Sequence, residues 1–395
     1  MAVRKTHYSV ELTYIDNNKQ NHLIDPAKIS SILIDYDYEH NNMPIILINV
    51  NIDKNILDDI INNAEKNSMI FALYCKEYKD GGSVPIKTEY IRKEFLYLIY
   101  EEPNKTSALD VTSTGGDTLY RSATLGLIDK ECSNSRKKII NGVIEGNISS
   151  ILYSFLGTRP LLMEPIPNNN NTKLIIPPMT STTELVAYID KVVPLYSTQY
   201  RLFYDFKRTY LLSSSGKCIP LKSTDKNSIH LNVTEVTSAV NKDQGMEEME
   251  NGKGYAIYLN EAECTTSPDK LSGKMFTAVA GVSSKGIKSI QDLNIDKDIN
   301  SLNNIKLERV HHENLNKVNE SKSNIELSSS LITINKTEID GSVITLNNEY
   351  TIKHDTLESY NGKYLLARKR EIFVVYDQPG EFICNINLSL RKIMS

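Results

Sequence analysis

Residues 174–216 read LIIPPMTSTTELVAYIDKVVPLYSTQYRLFYDFKRTYLLSSSG, a run that carries one helix and the first strands after it. Ser181 and Glu184 have the spacing of a capping box, in which a hydroxyl and a carboxylate satisfy free N–H groups at a helix start. Apolar residues follow on one face until Pro194, which cannot continue a helix. From residue 201 to residue 212 the pattern changes to alternation, which indicates strands. The run therefore predicts a point at which a helical segment passes into a β unit.

A second helix is predicted shortly upstream. Gly157 stands where a helix ends, and the residues before it have the spacing i, i+3, i+4, i+7 of one helix face. These residues are Ile148, Ile151, Leu152 and Phe155. Prolines and asparagines then recur over residues 160–178, and this composition predicts an extended, stiff linker between the two helices.

Both flanks of this helical stretch have the two-residue period of β-strands. One amphipathic helix is predicted among the early strands, over residues 56–64. The alternating segments are residues 8–14, 32–38, 46–52, 69–78, 90–100, 229–236, 254–259 and 384–390. The sequence thus predicts an α+β, mostly β chain in which two antiparallel β-barrel or sandwich domains flank a small helical module, with a polar insertion.

The predicted domain boundaries follow these changes of pattern. They are 1–106 for the first β domain, 107–198 for the helical module and its Pro/Asn linker, 199–239 for the start of the second β domain, 240–328 for an insertion of unclear structure, and 329–395 for the completion of the second β domain.

Composition places limits on the function. The chain has 395 residues, enough for two to four domains, and a net charge of −4, which argues against a protein that grips a phosphate backbone. Its five cysteines contain no CxxC pair, so we expect reduced thiols and no metal site with cysteine ligands. We expect no signal peptide and no membrane anchor, because no apolar run approaches the length of a membrane span.

Three carboxylates, those of Asp35, Asp37 and Glu39, share one side of a predicted strand. Carboxylate oxygens are ligands for a hard cation such as Ca²⁺. The glycine and the curvature of a calcium loop are missing here, so we favour a solvated strand face over a metal site.

Other short motifs also have simpler explanations. His311, His312 and Glu313 lack the HExxH spacing of a zinc site and lie in a polar segment, so we expect no metal there. Residues 114–117 (TGGD) and the pair Gly216-Lys217 lack the remainder of a phosphate-binding loop, and we interpret both as loop tips.

Two basic and aromatic stretches would suit a single-stranded nucleic acid. Arg201, Lys207 and Arg208 alternate with aromatic residues, and residues 368–370 (RKR) lie near Tyr364. Exposed faces of amphipathic hairpins give the same pattern, and with a pI near 6.0 we favour that interpretation. No GxSxG or other catalytic constellation stands out, so the prediction is a protein that is not an enzyme, with no catalytic, cofactor-binding or metal residues.

Taken together, three stretches resemble a known family. The first stretch looks like the central hub protein of phage baseplates and contractile injection machines. It begins with NISSILYSFLG at Asn147 and continues through the linker and the run "PP…S…E…YID…Y" into RLFYDF and TYLL. MPIILINVNID (residues 43–53) is similar to the first β domain of that family. NGKYLLARKREIFVVYDQPGEFICNINLSLRKI (residues 361–393) resembles its closing strands.

The resemblance implies a structural role in a virion. Three copies would form a ring, each contributing two tube-like β domains, so that six similar units meet a hexameric tail tube while the other end holds a trimeric spike. The implied partners are further copies of the chain, the tail tube protein, the spike protein and other baseplate proteins. DNA would pass through the channel without specific binding, and assembly would take place in the host cytoplasm. We also expect the strand edges at residues 2–14 and 384–390 to pair between chains.

Three alternatives remain open at the level of sequence. The first is another tail structural protein, such as a distal tail or baseplate-wedge protein. The second is a tail-associated cell-wall hydrolase, and the third is a carbohydrate-binding module, for which tyrosines would replace the absent tryptophans.

Overall fold

The computed structural model describes residues 7–63, 68–77, 86–101, 120–196, 200–220, 226–234, 245–260, 263–267, 276–283, 286–287, 305–310, 331–337 and 340–393. Within these ranges the chain is mostly β, as the sequence predicts. The described helices are α1 (Lys54–Asn62), α2 (Lys130–Lys137), α3 (Ile148–Leu156) and α4 (Thr182–Val192), and 3-10 turns lie at Pro26–Lys28, Gly341–Val343 and Glu358–Tyr360.

The described strands fall into two series along the chain. Those of the first half are β1 (His7–Ile15), β2 (Asn21–Ile24), β3 (Ile29–Asp37), β4 (Ile45–Asp53), β5 (Ser68–Glu77), β6 (Ile86–Glu101), β7 (Tyr120–Asp129), β8 (Ile139–Asn147), β9 (Leu161–Met163) and β10 (Asn171–Ser181). Those that follow are β11 (Tyr200–Tyr204), β12 (Thr209–Ser213), β13 (Ser228–Thr234), β14 (Gly245–Glu248), β15 (Gly254–Asn260), β16 (Glu263–Ser267), β17 (Phe276–Ser283), β18 (Gly286–Ile287), β19 (Ile305–Val310), β20 (Leu331–Thr337), β21 (Glu349–His354), β22 (Gly362–Tyr376) and β23 (Gln378–Lys392).

Eight strands close into an antiparallel barrel. Their order is β22-β3-β4-β7-β6-β5-β1-β23, and pairing of β22 with β23 completes the circle. An eight-stranded barrel has an interior that side chains just fill. Here the alternation of β1 sends Val10, Leu12 and Tyr14 inward, where they join Phe71 and Phe95 in a solvent-free core. The two-residue period seen in the sequence is therefore the inside–outside alternation of a barrel wall.

A long hairpin, β22–β23, belongs to two β units at once. Near its turn, β22 pairs with β3 over residues 368–374, and β23 pairs with β1 over residues 381–383. Toward its open end, β22 pairs with β21 and β23 pairs with β20. The second β unit therefore has the strand order β14-β15-β13-β21-β22-β23-β20-β16. One hydrophobic cluster runs through both units, with Ile332 and Leu231 of the second unit in the same cluster as Leu12 of the barrel.

The second unit departs from a purely antiparallel sheet. β13 is parallel to both of its neighbours, β15 and β21. On its other side, β15 pairs antiparallel with β14. β14 therefore runs opposite to β13, and β15 runs in the same direction as β13. β14, β15 and β16 lie within residues 240–328, so that part of the predicted insertion supplies strands of the second unit.

A helical module packs on a separate core. The antiparallel ribbon β8–β10 covers α3 and α4, with Leu174, Ile148 and Leu185 buried between them. The predicted start of α4 and the predicted end of α3 are confirmed: Ser181 and Glu184 form a reciprocal capping box on α4, and Gly157 is the C-cap of α3. Asn147 caps the start of α3 by accepting from the backbone N–H of Ser150.

An ion-pair network joins this module to the barrel. The buried guanidinium of Arg159 lies 2.6 Å from Asp129 and 2.9 Å from Glu131, and it donates to the carbonyl of Asp205 at 2.6 Å. Burial alone would raise the pKa of Glu131, but the charge of Arg159 outweighs it and lowers that pKa.

Several expectations are corrected by the strand pairings. Part of the predicted linker is strand, because residues 171–176 find partners in β8, a pairing with no local sequence signal. Residues 120–129, placed with the helical module from sequence, form a barrel strand between β4 and β6. Over the described residues, β1 is paired on both sides by β5, β2 and β23, and β23 by β22, β1 and β20. The expectation that these edges pair between chains is therefore wrong for residues 7–9, 12–15 and 386–390, which have strand partners on both sides within the chain.

The hairpin β11–β12 lies between the two cores. Leu202, Tyr204 and Leu211 belong to the core of the helical module. Phe203 and Phe206 belong to the barrel core, where Phe206 meets the rings of Tyr36 and Phe95 edge-on, each with centroids 5.9 Å apart. The RLFYDF run of the sequence is thus the layer that joins the module to the barrel.

Candidate functional site

A cleft of about 510 Å³ opens where the barrel, the turn of β11–β12 and the second β unit meet. Ligand sites in proteins are commonly clefts of this size class at such junctions. The residues that line it are Tyr36, Tyr90, Ile91, Asp205, Phe206, Lys207, Arg208, Tyr210, Lys226, Asn227, Tyr255, Gly341, Ser342, Val343, Ile344, Thr345, Asn347, Asn348 and Lys369. Because they come from distant parts of the chain, the complete fold is needed to form the cleft.

The floor is a buried charge pair on β22. Lys369, 4% exposed, lies 2.9 Å from the carboxylate of Glu371, which is fully buried beneath it. The ammonium of Lys369 also donates to the carbonyl of Gly341 and lies 4.1 Å from the ring centroid of Tyr36. The hydroxyl of Tyr90 donates to Glu371 Oε1 at 2.7 Å, while Glu371 Oε2 has no hydrogen-bond partner among the described residues. These contacts fix the charges in place, since a buried ion needs partners to offset its lost hydration.

A second carboxylate, that of Asp205, enters the cleft from the β11–β12 turn. It accepts a hydrogen bond from the backbone N–H of Phe206 at 2.6 Å, but within the described chain no cation lies within ion-pair distance. Burial raises the pKa of Asp205, and the charge of Lys369 offsets part of that effect. Asp205 therefore supplies a half-buried acceptor with capacity left for a donor.

Three cations surround the mouth. Lys226 forms an ion pair with Glu248, and its ammonium lies 5.4 Å from the ring centroid of Tyr255. Lys207 and Arg208 are exposed and form no ion pair in the described structure. The ammonium of Lys207 lies over the ring of Tyr90 at 5.8 Å, a cation–π arrangement. The rim thus carries an excess of positive charge.

The acidic row predicted on β3 has basic partners on the β22–β23 hairpin. Asp35 binds Arg368 through both of its carboxylate oxygens, and Glu39 binds Arg391 in the same bidentate way, at 2.7 and 2.8 Å. Asp37 instead accepts from the backbone N–H groups of Glu39 and His40, which fixes the turn after β3. The predicted solvated face is therefore corrected: Asp35 and Glu39 bind arginines, and one of these, Arg368, belongs to a basic stretch identified from the sequence. No group of three or more His, Cys, Asp or Glu residues in the described ranges is arranged to hold a metal.

The remaining predicted residues are placed as follows. Arg201 is not on an exposed face, because its guanidinium donates to the carbonyl of Leu366, and burial lowers its pKa to about 10. Gly216 and Lys217 lie in a loop after β12, as predicted, with Gly216 at a φ of +73°. Residues 114–117 and 311–313 lie outside the described residues. None of the described helices has the length and apolar character to cross a membrane.

The helical module has an apolar outer face on the β8–β10 ribbon. Val143 and Ile175 are cross-strand partners, and 59% and 71% of their surfaces are exposed. Ile139 has the same parity on β8, and Met179 protrudes from the bulge of β10. Among the described residues, these four are exposed large apolar side chains on one ribbon, and Val143 and Ile175 are direct neighbours, an arrangement typical of a contact surface.

Sequence analysis named Lys369 only as part of the basic stretch 368–370, and it missed Glu371, the partner of Lys369 at the cleft floor. Lys369 and Glu371 are two positions apart on one strand, so they share a face. The neighbouring positions on that face are the apolar Ala367 and Phe373, and a lysine–glutamate pair between apolar positions of one parity is a signal that was present. Asp205 gave no such signal, because its environment comes from the second β unit.

Comparisons with known proteins agree with this fold. The family model described as bacteriophage PBS1 gene 109 protein matches residues 1–393. A tail protein from Neisseria meningitidis MC58 has a similar structure, with a TM-score of 0.52 and 11% identity over 98% of this chain and 96% of that protein. The 43 kDa tail protein of prophage MuSo2 from Shewanella oneidensis has a TM-score of 0.52 and 9% identity, over 97% and 96% of the two chains. At these identities the likeness shows the fold alone.

A search of curated protein sequences finds no match. The predicted resemblance to phage tail baseplate proteins is nevertheless confirmed, by a phage family model over almost the whole chain and by the fold shared with tail proteins. The chain belongs to the bacteriophage PBS1 gene 109 protein family.

Proposed function

We propose that this protein is the structural hub of a phage tail baseplate, a three-copy ring that joins a threefold spike to a sixfold tail tube and starts assembly of the tube. Family membership and the fold shared with tail proteins support a structural role in the tail. The proposed location is the tail baseplate of the virion, after assembly in the host cytoplasm.

The number of β units in one chain carries the proposal. The closed barrel has eight strands, and the second unit has eight described strands in the order that ends at β14 and β16. In this proposal both units are tube-like domains, so three chains present six units to the tube. The shared hairpin β22–β23 sets the relative position of the two units within each chain.

The partners follow from this geometry. The six β units would meet the tail tube protein, and the opposite end of the ring would hold the spike and other baseplate proteins. DNA would pass through the ring without specific binding, which fits a chain with a net charge of −4 in which Arg368 and Arg391 are engaged in ion pairs with Asp35 and Glu39.

Copies of the chain need apolar surface to contact one another, since permanent assemblies bury large and largely apolar interfaces. We assign one contact between copies to the outer face of β8–β10, where Val143 and Ile175 are exposed side by side. β1 and β23 are already paired within the chain and are not available for this role.

The test is the mass of the purified protein by light scattering behind a sizing column, with negative-stain images of the same peak. Three copies around a central hole would support the hub. A six-copy ring would point to a tail-tube or distal-tail protein, and a monomer that ignores added tube protein would overturn the proposal. Loss of turbidity in a cell-wall suspension would instead indicate a hydrolase.

A variant pair tests the assigned contact. Ile175→Asp places a charge on the exposed apolar face without entering the core, so we expect a smaller mass at an unchanged melting temperature. Lys173→Asp, two residues earlier on the same face of β10, changes the charge while leaving the apolar cluster intact. An unchanged mass for Ile175→Asp would remove this face from the ring contact.

A further inference from the structure

The cleft between the β units has the features of a ligand-binding site, which assembly of a ring does not require. Its volume of about 510 Å³ suits a ligand the size of a small sugar derivative. The lining combines two exposed cations at the rim, a half-buried carboxylate, and a charge pair at the floor. Such a combination of cations and a carboxylate suits a ligand that carries both an anionic group and hydrogen-bond donors.

The rim provides the charge that would attract an anion. Lys226 and Lys369 are already compensated by Glu248 and Glu371. Lys207 and Arg208 stand next to each other on the β11–β12 turn and have no ion-pair partner within the described chain. Both side chains line the cleft, where a lysine and an arginine would bind a phosphate through charge-assisted hydrogen bonds.

The carboxylate of Asp205 favours a ligand that also carries hydroxyl groups. One of its oxygens is occupied by the N–H of Phe206, and the group retains acceptor capacity toward the cleft. An anion alone would be repelled by it, whereas hydroxyl groups of a ligand would donate to it. A ligand with both a phosphate and hydroxyls satisfies Asp205 and the rim together.

The aromatic walls argue against a stacked base. Lysine ammonium groups lie over the rings of Tyr36, Tyr90 and Tyr255, at 4.1, 5.8 and 5.4 Å from their centroids. Nucleobases bind proteins largely by stacking on such faces. With these faces occupied by cations, the cleft offers polar contacts around its edge in place of stacking platforms.

We propose that this cleft binds a phosphorylated sugar or polyol, with the phosphate at Lys207 and Arg208 and the hydroxyls at Asp205. The site is formed within one chain and does not depend on the hub role, so it is tested on the full-length protein in whatever assembly it forms. Light scattering reports the assembly separately, so the two proposals fail independently.

The experiment is calorimetric titration of the full-length protein with glucose 6-phosphate, with glucose and inorganic phosphate as the two half-ligands. We expect glucose 6-phosphate to bind at least about ten-fold more tightly than either half, since each half makes only part of the contacts. Sorbitol 6-phosphate distinguishes a sugar ring from an open polyol.

Substitutions then assign the contacts. Arg208→Gln with Lys207→Gln should weaken glucose 6-phosphate binding about ten-fold or more, while Asp205→Asn should mainly reduce the preference over inorganic phosphate. Lys173→Gln removes an exposed cation that lies on β10 and outside the cleft, and it should leave binding unchanged. Equal melting temperatures for the variants exclude loss of fold as the cause.

Three results would overturn the inference. The first is no measurable heat with glucose 6-phosphate at millimolar concentration. The second is equal affinity for inorganic phosphate, which would mark the rim as an adventitious anion site. The third is full binding by the Arg208→Gln, Lys207→Gln double variant, which would place the ligand elsewhere.

Discussion

At the scale of single residues, Lys369 and Glu371 depend on each other. Both are buried, and each supplies the countercharge that the other needs in a place that water does not reach. The hydroxyl of Tyr90 donates to Glu371, and the carbonyl of Gly341 accepts from Lys369. Removal of one partner therefore leaves an uncompensated charge inside the protein.

We expect Lys369→Met to lower the free energy of unfolding by about 3 kcal/mol, because the carboxylate of Glu371 would remain buried without its cation. The double variant Lys369→Met, Glu371→Gln should recover at least about 1 kcal/mol of this loss, since glutamine is neutral and still accepts from Tyr90. Urea unfolding of the two variants measures the difference. A double variant that is less stable than the single one would show that the pair does not act as a unit.

Asp205 predicts a dependence on pH. Its pKa is raised in the folded protein above the ordinary value of 3.8, mainly by burial, so the folded state holds the proton more tightly than the unfolded chain does. The ionised group therefore opposes folding above its folded pKa, and this penalty disappears as the pH falls below the unfolded value. Asp205→Asn should be more stable than the parent at pH 7, because asparagine is neutral and keeps the acceptor for Phe206 N.

The test is how the stability difference between Asp205→Asn and the parent protein changes with pH. Thermal unfolding of both proteins between pH 7 and pH 4 should show the advantage of Asp205→Asn shrinking as the pH falls. An advantage that stays constant or grows toward pH 4 would show that ionisation of Asp205 is not its cause.

Single residues also mark a limit of sequence analysis. Asp35 and Glu39 were predicted to share a strand face, but β3 ends at Asp37 and Glu39 lies in the turn that follows it. Their partners Arg368 and Arg391 are more than three hundred positions away, and nothing local indicates that β3 and β22 are neighbours. The residue types were therefore visible in the sequence, whereas their pairing required the barrel.

At the scale of elements, the hairpin β11–β12 is the joint between two cores. Phe206 is buried among Tyr36 and Phe95 of the barrel, while Tyr204 faces the helical module. We expect Phe206→Ala to cost about 3–4 kcal/mol, since a large buried ring is removed from a filled interior.

Tyr153→Ala is the matched control for Phe206→Ala. Tyr153 is an aromatic residue on α3 with half of its surface exposed, so its loss should cost less than about 0.5 kcal/mol. Chemical denaturation of both variants provides the comparison. A cost for Phe206→Ala as small as that for Tyr153→Ala would mean that the hairpin does not anchor the module.

Local signals determined which elements were predictable. α4 and α3 were found from caps and apolar spacing, which are properties of the helix itself. β10 was interpreted as linker because its prolines disfavour a strand, and it is a strand because β8 supplies partners for residues 171–176. Helices formed by contacts three and four residues apart can thus be read from sequence, while a short strand depends on a distant partner.

At the scale of the whole molecule, the β22–β23 hairpin makes two β units into one folding unit. The barrel cannot close without its turn-proximal half, and the second unit loses its central pair without the other half. The hydrophobic cluster is continuous across the hairpin. Sequence periodicity predicted two β units but could not reveal that they share strands, because the sharing depends on which distant strands pair with each end of β22 and β23.

Shared strands predict that both units unfold together. The chain has no tryptophan, so Tyr74→Trp on β5 and Tyr255→Trp on β15 give separate fluorescence reporters for the barrel and the second unit. In urea we expect the two reporters to give the same midpoint, as for a single cooperative transition. Phe373→Ala near the turn and Leu390→Ala near the open end each remove a buried side chain. Each should lower the free energy of unfolding by about 3 kcal/mol and shift the midpoints of both reporters to the same lower urea concentration. If Phe373→Ala moved only the barrel reporter and Leu390→Ala only the other, the units would be independent domains, and the hairpin would be a tether between them instead of a common wall.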